Sequence, residues 1–592
     1  MKHREARPTN LKRGRPAGLE SDGIASEPSK SAKFSDPQDF HPTRRRPVFV
    51  SDLRNHVPTL KGPRVQRTRA VETLLDRGFP YSRKLNAHTS CVNALAFSSL
   101  DGRFLASGGD DLNIHLWDLH EERVNKPCCT FQGPRENIFV LSFSAHNRFI
   151  FSGGADDTVL KFDASTLERI NTQVPRSPGA IFRQHDDSIR GIAPHPVQDD
   201  IFITGSEDGC LILHDCRIGP RTSDQDTIQL TAEVTGVEFH PVMEHVFVTS
   251  DQRGNVCLRD TRMAFGPLFR RTQEGVVQTY NTKLSRRGIQ HLSNPETSSI
   301  SFNRQGTQLG VTMLNYFPTI YSLNDADPVA VCSASNLPDG TPVPPGERTY
   351  ANACTMKHGS FGGPGLDTDA LYAAGSDDFR AYIWSLPSPA SLAAQRRIIP
   401  YAEWEAGEHA GVTAFAERAT GPRCIPAQLH TPRARLGGHS SIVNTVLVHP
   451  HMFLAASAGI EAEVVLHGAV DSLLGGMKRT PARVRKIGEA WGPEPLEVEE
   501  DDEGQEGSED GWDVERVADD QGRTIRLFDG LLRAEGGIDV FAARRWYTHG
   551  GDGGGVVGMD NDGQGDSDSE DDEDKSSESE VDEDDDVDME DV

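Results

Sequence analysis

The segment LNAHTSCVNALAFSSLDGRFLASGGDDLNIHLWDL, from Leu85 to Leu119, constrains the fold more than any other part of the chain. Cys91 to Phe97 alternates as a strand does, and Leu100-Asp101-Gly102 has the composition of a turn. Phe104 to Ser107 reads as a second strand, and Asp110-Asp111 turns the chain into a third, Asn113 to Trp117. The segment is expected to form one four-stranded blade. A single blade cannot bury both faces of its sheet, so the pattern predicts further units of the same kind.

His88, Ser107, Asp111 and Trp117 stand where WD40 repeats place a buried, hydrogen-bonded His–Ser–Asp–Trp set. A second unit follows with Asn137 to Phe143 and Phe151 to Asp157, and Phe162 falls 45 residues after Trp117, one such period. The third runs from His185 through Asp208 to Arg217, and the fourth from Val234 to Asp260; His214 and Arg259 are again 45 residues apart. Ser299 to Phe302, Gln308 to Val311 and Thr319 to Leu323 make a degenerate fifth. The sixth is plain, with Leu371 to Asp378 and Ala381 to Trp384, the Asp378 and Trp384 positions matching the set. An insertion over Pro387 to Arg435 precedes the seventh, which starts at Gly438-His439 and closes at Val464 to His467. Seven is a common closure number. The expected fold is therefore all-β, a seven-bladed WD40 β-propeller over 81–476 with disordered basic N-terminal and acidic C-terminal tails.

Charge supports the tails. The chain of 592 residues carries a net charge of −28, of which Met559 to Val592 contributes −18, with 19 acidic residues against Lys575. Residues 1–50 carry 11 Lys or Arg against 6 acids. Opposed charge blocks of this kind are usually solvated. Residues 1–62 are read as a disordered basic tail and 548–592 as a disordered acidic one. Lys12-Arg13-Gly14-Arg15-Pro16 resembles an AT-hook core that would reach an A·T-rich minor groove, or serves as an import signal or plain basic arm. The acidic tail would bind histones by charge, or only solvate the chain. Val65 to Asp76, within 63–80, has Ala70, Val71, Leu74 and Leu75 at helical spacing, for packing on the propeller or for a partner's groove. Residues 477–523 read as a charged linker, and 524–547 as a short helical segment. Nine dispersed cysteines without a CxxC pair argue for free thiols in a reducing compartment. No apolar run reaches the length of a membrane span, so a soluble intracellular chain without membrane contact is expected.

The segments HTSCVNALAFSSLDGRFLASGGDDLNIHLWDLH, NIFVLSFSAHNRFIFSGGADD, NACTMKHGSF with LYAAGSDDFRAYIWSLP, and GGHSSIVNTVLVHPHMFLAASAGIE resemble the cullin-4-associated factors, the WD-repeat substrate receptors of cullin-4 RING ubiquitin ligases. The resemblance covers roughly 80–470. It implies binding to the adaptor subunit and, through it, to cullin-4, with an unknown protein substrate. In that family a WDxR box at the ends of adjacent blades meets the adaptor, as does a helix ahead of the first blade. The matching positions are His214-Asp215-Cys216-Arg217 and Arg259-Asp260-Thr261-Arg262, which keep Asp and Arg and lack Trp. The resemblance thus places Asp215, Arg217, Asp260 and Arg262 at the adaptor, with Val71, Leu74 and Leu75 of the preceding helix. Asp and Arg two apart on a strand share a face. The bland reading of each box is an internal ion pair. The missing Trp is expected to weaken the set within each blade, since neither His nor Arg stacks there as an indole would.

No catalytic constellation stands out. His88 with Asp111 and His185 with Asp208 fall on structural WD40 positions, and no nucleophile elbow, phosphate loop or metal-ligand spacing is found, so no enzyme activity, metal or cofactor is expected. Two functions remain: a substrate receptor of a cullin-4 ligase in nucleus and cytoplasm, or a chromatin-associated WD40 scaffold touching histones or DNA through its tails.

Overall fold

The computed structural model describes residues 63–165, 175–218, 223–363, 368–407, 409, 411–490, 511–534 and 539–541. The basic segment 1–62, with Lys12–Pro16, and the acidic segment 548–592 lie outside them.

Eight sheets form among the described residues. Sheet 1 contains Val92–Phe97, Phe104–Gly109, Asn113–Asp118 and Cys129–Gln132, each antiparallel to the next. Sheet 2 (Ile138–Phe143, Phe149–Gly154, Val159–Asp163, Ala180–Phe182), sheet 3 (Ile189–Pro194, Ile201–Ser206, Cys210–Asp215, Thr227–Gln229) and sheet 4 (Val234–Phe239, Val246–Asp251, Val256–Asp260, Val276–Tyr280) repeat that order. Sheet 5 starts at Thr297–Phe302 and gains a fifth, parallel strand, Ala427–Leu429. Sheet 6 contains Gly359–Gly362, Leu371–Gly375, Ala381–Ser385 and Ala434–Leu436. Sheet 7 contains Val443–Val448, Leu454–Gly459 and Glu463–Gly468, and is completed by Tyr81–Asn86 and Lys478–Arg479. The first strands of these sheets neighbour one another in order, and that of sheet 7 neighbours that of sheet 1. This is the architecture of a β-propeller, and pairing Tyr81–Asn86 with the last sheet ties the two ends of the ring together.

Local sequence explains the repeated geometry. In six of the first strands the register with the second strand shifts after the first paired residue, a bulge that raises the local twist. At that bulge the second strand passes close to backbone. A Cβ on Gly109 would lie 1.9 Å from the Cys91 carbonyl oxygen, and one on Gly154 1.8 Å from that of Asn137. The Gly-Gly pairs of the first two sheets therefore follow from space as well as conformation. Between sheets the core is layered: Leu105 and Trp117 pack with Leu454 and Leu466 across sheets 1 and 7, and Phe131 and Phe162 meet across sheets 1 and 2. Burying such side chains contributes roughly 1.5–3 kcal/mol each.

The structure corrects several boundaries. Leu85 to Leu119 is not one four-stranded blade, because Leu85 belongs to sheet 7 and the fourth strand of sheet 1 is Cys129–Gln132. The insertion after Trp384 does not precede sheet 7; it lies between the third and fourth strands of sheet 6, since Ala434–Leu436 pairs with Ala381–Ile383. Its strands Thr413–Phe415, Arg423–Ile425 and Arg397–Ile399 join Leu284–Arg286 in a small eighth sheet with Trp404 at its core. The span 477–523 is not all linker: it contributes Lys478–Arg479 to sheet 7 and enters a helix, Gly511–Ala534, that starts well before residue 524. No helix among the described residues is long and apolar enough to cross a membrane.

Candidate protein-interaction face

Each sheet has two functional ends. The second and third strands are joined at one end, where Asp111 and Asp208 lie; the third strand then runs to Asp118, Asp163, Asp215 or Asp260 at the other. We call these the turn end and the corner end.

The turn end holds the buried sets. In sheet 1, His88 places Nδ1 2.9 Å from Asp111 and Nε2 2.8 Å from Ser107 Oγ, and the Trp117 indole donates to the same hydroxyl at 3.0 Å. In sheet 3, His185 meets Asp208 at 2.9 Å and Thr204 at 2.7 Å, and His214 meets Thr204 at 2.8 Å. Sheet 7 builds the same unit from His439, Ser457, Glu461 and His467, with contacts of 2.9, 2.7 and 2.7 Å. The sequence reading left that third set out. Its signal was present: His439 and Ser457 are 18 residues apart and Ser457 and His467 are 10 apart, against 19 and 10 in sheet 1.

His214 and His467 occupy the Trp117 position, and burial pushes both imidazoles down to about 3, so they are neutral hydrogen-bonding groups at ordinary pH. The expectation that a missing Trp leaves that place without stacking is corrected. His214 stacks on Phe202 with ring centres 4.5 Å apart and planes 11° from parallel. In sheet 4 Arg259 takes the same place and donates to Thr249 Oγ1 at 3.0 Å. A planar donor of either kind can reach the hydroxyl on the neighbouring strand.

Asp378 and Trp384 do not form such a set. Ala374 stands at the Ser107 position, so no hydroxyl bridges them. The Trp384 indole donates to the Ser333 carbonyl at 2.6 Å, and Asp378 accepts from Tyr382 at 2.6 Å and Arg380 at 2.9 Å. The ligand atoms of His88, Asp111 and His115 lie within 4.8 Å of one another, which is metal-like spacing. Both His88 nitrogens already serve the sheet 1 set, and His115 contacts Thr130 at 3.0 Å, so the grouping is accounted for by hydrogen bonds.

The corner end presents the Asp–Arg pairs. Asp215 ends its strand, and the Arg217 backbone N–H donates to its carboxylate at 3.0 Å, a local Asp-centred turn. Arg217 then folds back, donating from Nε at 2.8 Å and from its terminal nitrogen at 2.6 Å. Asp260 and Arg262 repeat the arrangement on the adjacent sheet with 2.9, 3.0 and 2.6 Å. The spacing predicts that the two residues of each box share a strand face, and the structure corrects this: the strand ends at Asp, and a turn at Arg217 and the short helix Thr261–Ala264 at Arg262 bring Arg back onto the carboxylate. The Arg hydrogen bonds hold both carboxylates below the usual carboxylate range. The Arg217 and Arg262 side chains remain 58% and 67% exposed. Both boxes are thus internal ion pairs that also face solvent.

Large apolar side chains are also exposed at this end. Val197, Ile218, Val242, Met243, Leu268 and Phe269 are exposed, the last at 83%, and they come from strand connections and corners of sheets 3 and 4 at this end. Paired charges together with exposed apolar side chains form a surface that protein contact can desolvate.

The helix ahead of the sheets is placed differently from the family expectation. It spans Pro63–Asp76, and Val71 and Leu75 are buried, with Leu74 partly so, against Leu371, Ile383, Val443 and Phe453 of sheets 6 and 7. Arg433 donates to Asp76 at 2.6 Å at its C-terminus. Val71, Leu74 and Leu75 therefore face the propeller, and their spacing reflects a stripe that the sheets cover.

The repeat family described as "WD domain, G-beta repeat" matches residues 79–118, 125–163 and 176–215, which hold Tyr81–Asn86 of sheet 7, all of sheets 1 and 2, and the first three strands of sheet 3. Together with the sheet order and the buried sets, this shows that the chain contains WD40 repeats. It is similar in type to "DDB1- and CUL4-associated factor 5" of Mus musculus and of Homo sapiens, at 32% identity over 384 residues, which is 64% of this chain and 33% of each relative. It is also 32% identical over 146 residues, 24% of the chain and 19% of the relative, to "Protein ALTERED SEED GERMINATION 2" of Arabidopsis thaliana. The chain thus matches about a third of the length of the two associated factors.

Proposed function

We propose that this chain is a non-catalytic, seven-bladed WD40 substrate receptor of a cullin-4 RING ubiquitin ligase, active in nucleus and cytoplasm. It would bind the adaptor DDB1 through the corner end of sheets 3 and 4 and hold a protein substrate for ubiquitination, contributing proximity and no chemistry. The observation that carries this is the repetition of one Asp–Arg corner on two adjacent sheets, each Arg exposed at an end that also exposes large apolar side chains. Similarity to associated factor 5 supports the identity of the partner.

The test is capture of purified DDB1 by the full-length chain and by an Arg217→Ala, Arg262→Ala variant. Recovery by the parent and loss in the variant is expected. Equal recovery by both would remove the corners from the interface. Recovery by neither would remove the ligase reading. Capture of histones or DNA instead, with a steep dependence on salt, would favour the chromatin scaffold.

A further inference from the structure

We infer that the turn end carries a helix-binding groove over sheets 1, 6 and 7, that the chain's own C-terminal helix fills it, and that its ligand class is an amphipathic helix with apolar residues at i, i+3 and i+7 and a carboxylate at i+4. The helix Gly511–Ala534 buries Ile525 completely and Asp529 almost so, and its Phe528 and Leu532 pack on Cys91, Phe379, Ile442, Ile460, Val484 and Ile487. Residues 525, 528, 529 and 532 form one helical row, the anchor spacing of helix-in-groove recognition. Leu527 and Leu531, on another face of the helix, stay exposed. The contact thus has the form of a ligand in a site.

The groove is built to read the carboxylate. Arg485 donates to both Asp529 oxygens at 2.7 and 2.8 Å, and the Gly488 amide adds a third bond at 2.7 Å. Arg485 is itself held by the Ser440 and Glu489 carbonyls at 2.6 and 2.8 Å, so its fork is oriented by the propeller side. Bidentate pairing of this kind selects a carboxylate by geometry as well as charge.

A strained residue forms the floor. Phe379 has φ 70°, in the left-handed region, at the turn where sheets 3 and 4 use Gly209 and Gly254 and sheets 1 and 2 use Leu112 and Asp157. A side chain there is unfavourable, and such residues persist where surroundings over-determine them. Phe379 is fully buried beneath the helix and carries the guanidiniums of Arg348 and Arg485 at 4.8 and 5.1 Å from its ring centre. The groove lies at the end of the sheets opposite the Asp–Arg corners.

The probe is a fluorescent peptide of residues 511–534, offered to the full-length chain and to a full-length Phe528→Asp, Leu532→Asp variant whose own helix is released. The variant is expected to bind saturably, and the parent at least about tenfold more weakly, because its site is filled. Asp529→Asn in the peptide is expected to weaken binding by about tenfold or more, since Arg485 then loses a charged partner. Equal binding by parent and variant, or no binding by a variant with an unchanged circular dichroism spectrum, would overturn the groove. Should the variant not fold, hydrogen exchange of amides 520–534 in the parent replaces it: excess unlabelled peptide is expected to speed their exchange, and no change would overturn the inference. DDB1 capture by the released variant is expected to match the parent, which separates this site from the corners.

Discussion

The two ends of the propeller use the same pair of side chains for different ends. At the corner end, Asp215 with Arg217 and Asp260 with Arg262 are local pairs two residues apart, with the guanidiniums in water. At the turn end, Arg485 and Asp529 lie 44 residues apart in sequence and only 8% and 4% of their side chains are exposed. An exposed pair contributes little to folding, so its geometry is free to serve a partner. A buried pair is the reverse: removing one member leaves a charge without water or partner. Burial, more than the identity of the pair, separates a surface open to a partner from one that the chain already fills.

That contrast breaks most visibly at the turn end. Asp529→Ala is expected to cost about 3 kcal/mol of helix docking by stranding Arg485, read as faster amide exchange over 520–534; unchanged protection would show that apolar anchors alone hold the helix. Ser107→Ala removes the hydroxyl that both His88 and Trp117 use. Thermal unfolding should report a loss of about 1–3 kcal/mol, and a variant as stable as the parent would mean the set is not maintained in solution.

Acid sharpens the comparison. His214 and His467 have folded values near 3, below the ordinary value of 6.5. Their neutral forms favour the fold fully above about pH 6.5, and this contribution is lost as pH falls toward 3, because the unfolded chain takes up protons first. His214→Trp should therefore flatten the decline in stability between those limits, and an unaltered slope would show that His214 is not protected from protonation. The smallest stability effect belongs to the corners. Arg217→Ala with Arg262→Ala should leave the unfolding temperature where it was while weakening partner capture; a large fall in temperature would make the pairs structural.

Much of the fold was legible because inner strands carry both a period and punctuation. Val92–Phe97, Phe104–Gly109 and Asn113–Asp118 are joined by turns whose residues state their purpose. Outer strands were not legible: Cys129–Gln132 and Ala180–Phe182 are too short to show alternation, and their place is set by the sheet they join. The site was half legible. The spacing of Asp215 and Arg217 was plain, but the fold-back of Arg onto Asp depends on the strand ending there. Val71 and Leu75 show why an apolar stripe is ambiguous, since periodicity reports that a face is covered and not by what.

By itself the sequence determined the repeated unit, its hydrogen-bonded sets in sheets 1 and 3, and the twice-repeated Asp–Arg box, because each is written in residues within one period of the chain. Only the tertiary structure decided that Tyr81–Asn86 closes the last sheet, that His467 completes a third set, that the first helix faces inward, and that Asp529 meets Arg485 on the turn end. Those contacts join segments far apart in sequence, and their partners are chosen by ring closure and burial, which no local pattern encodes.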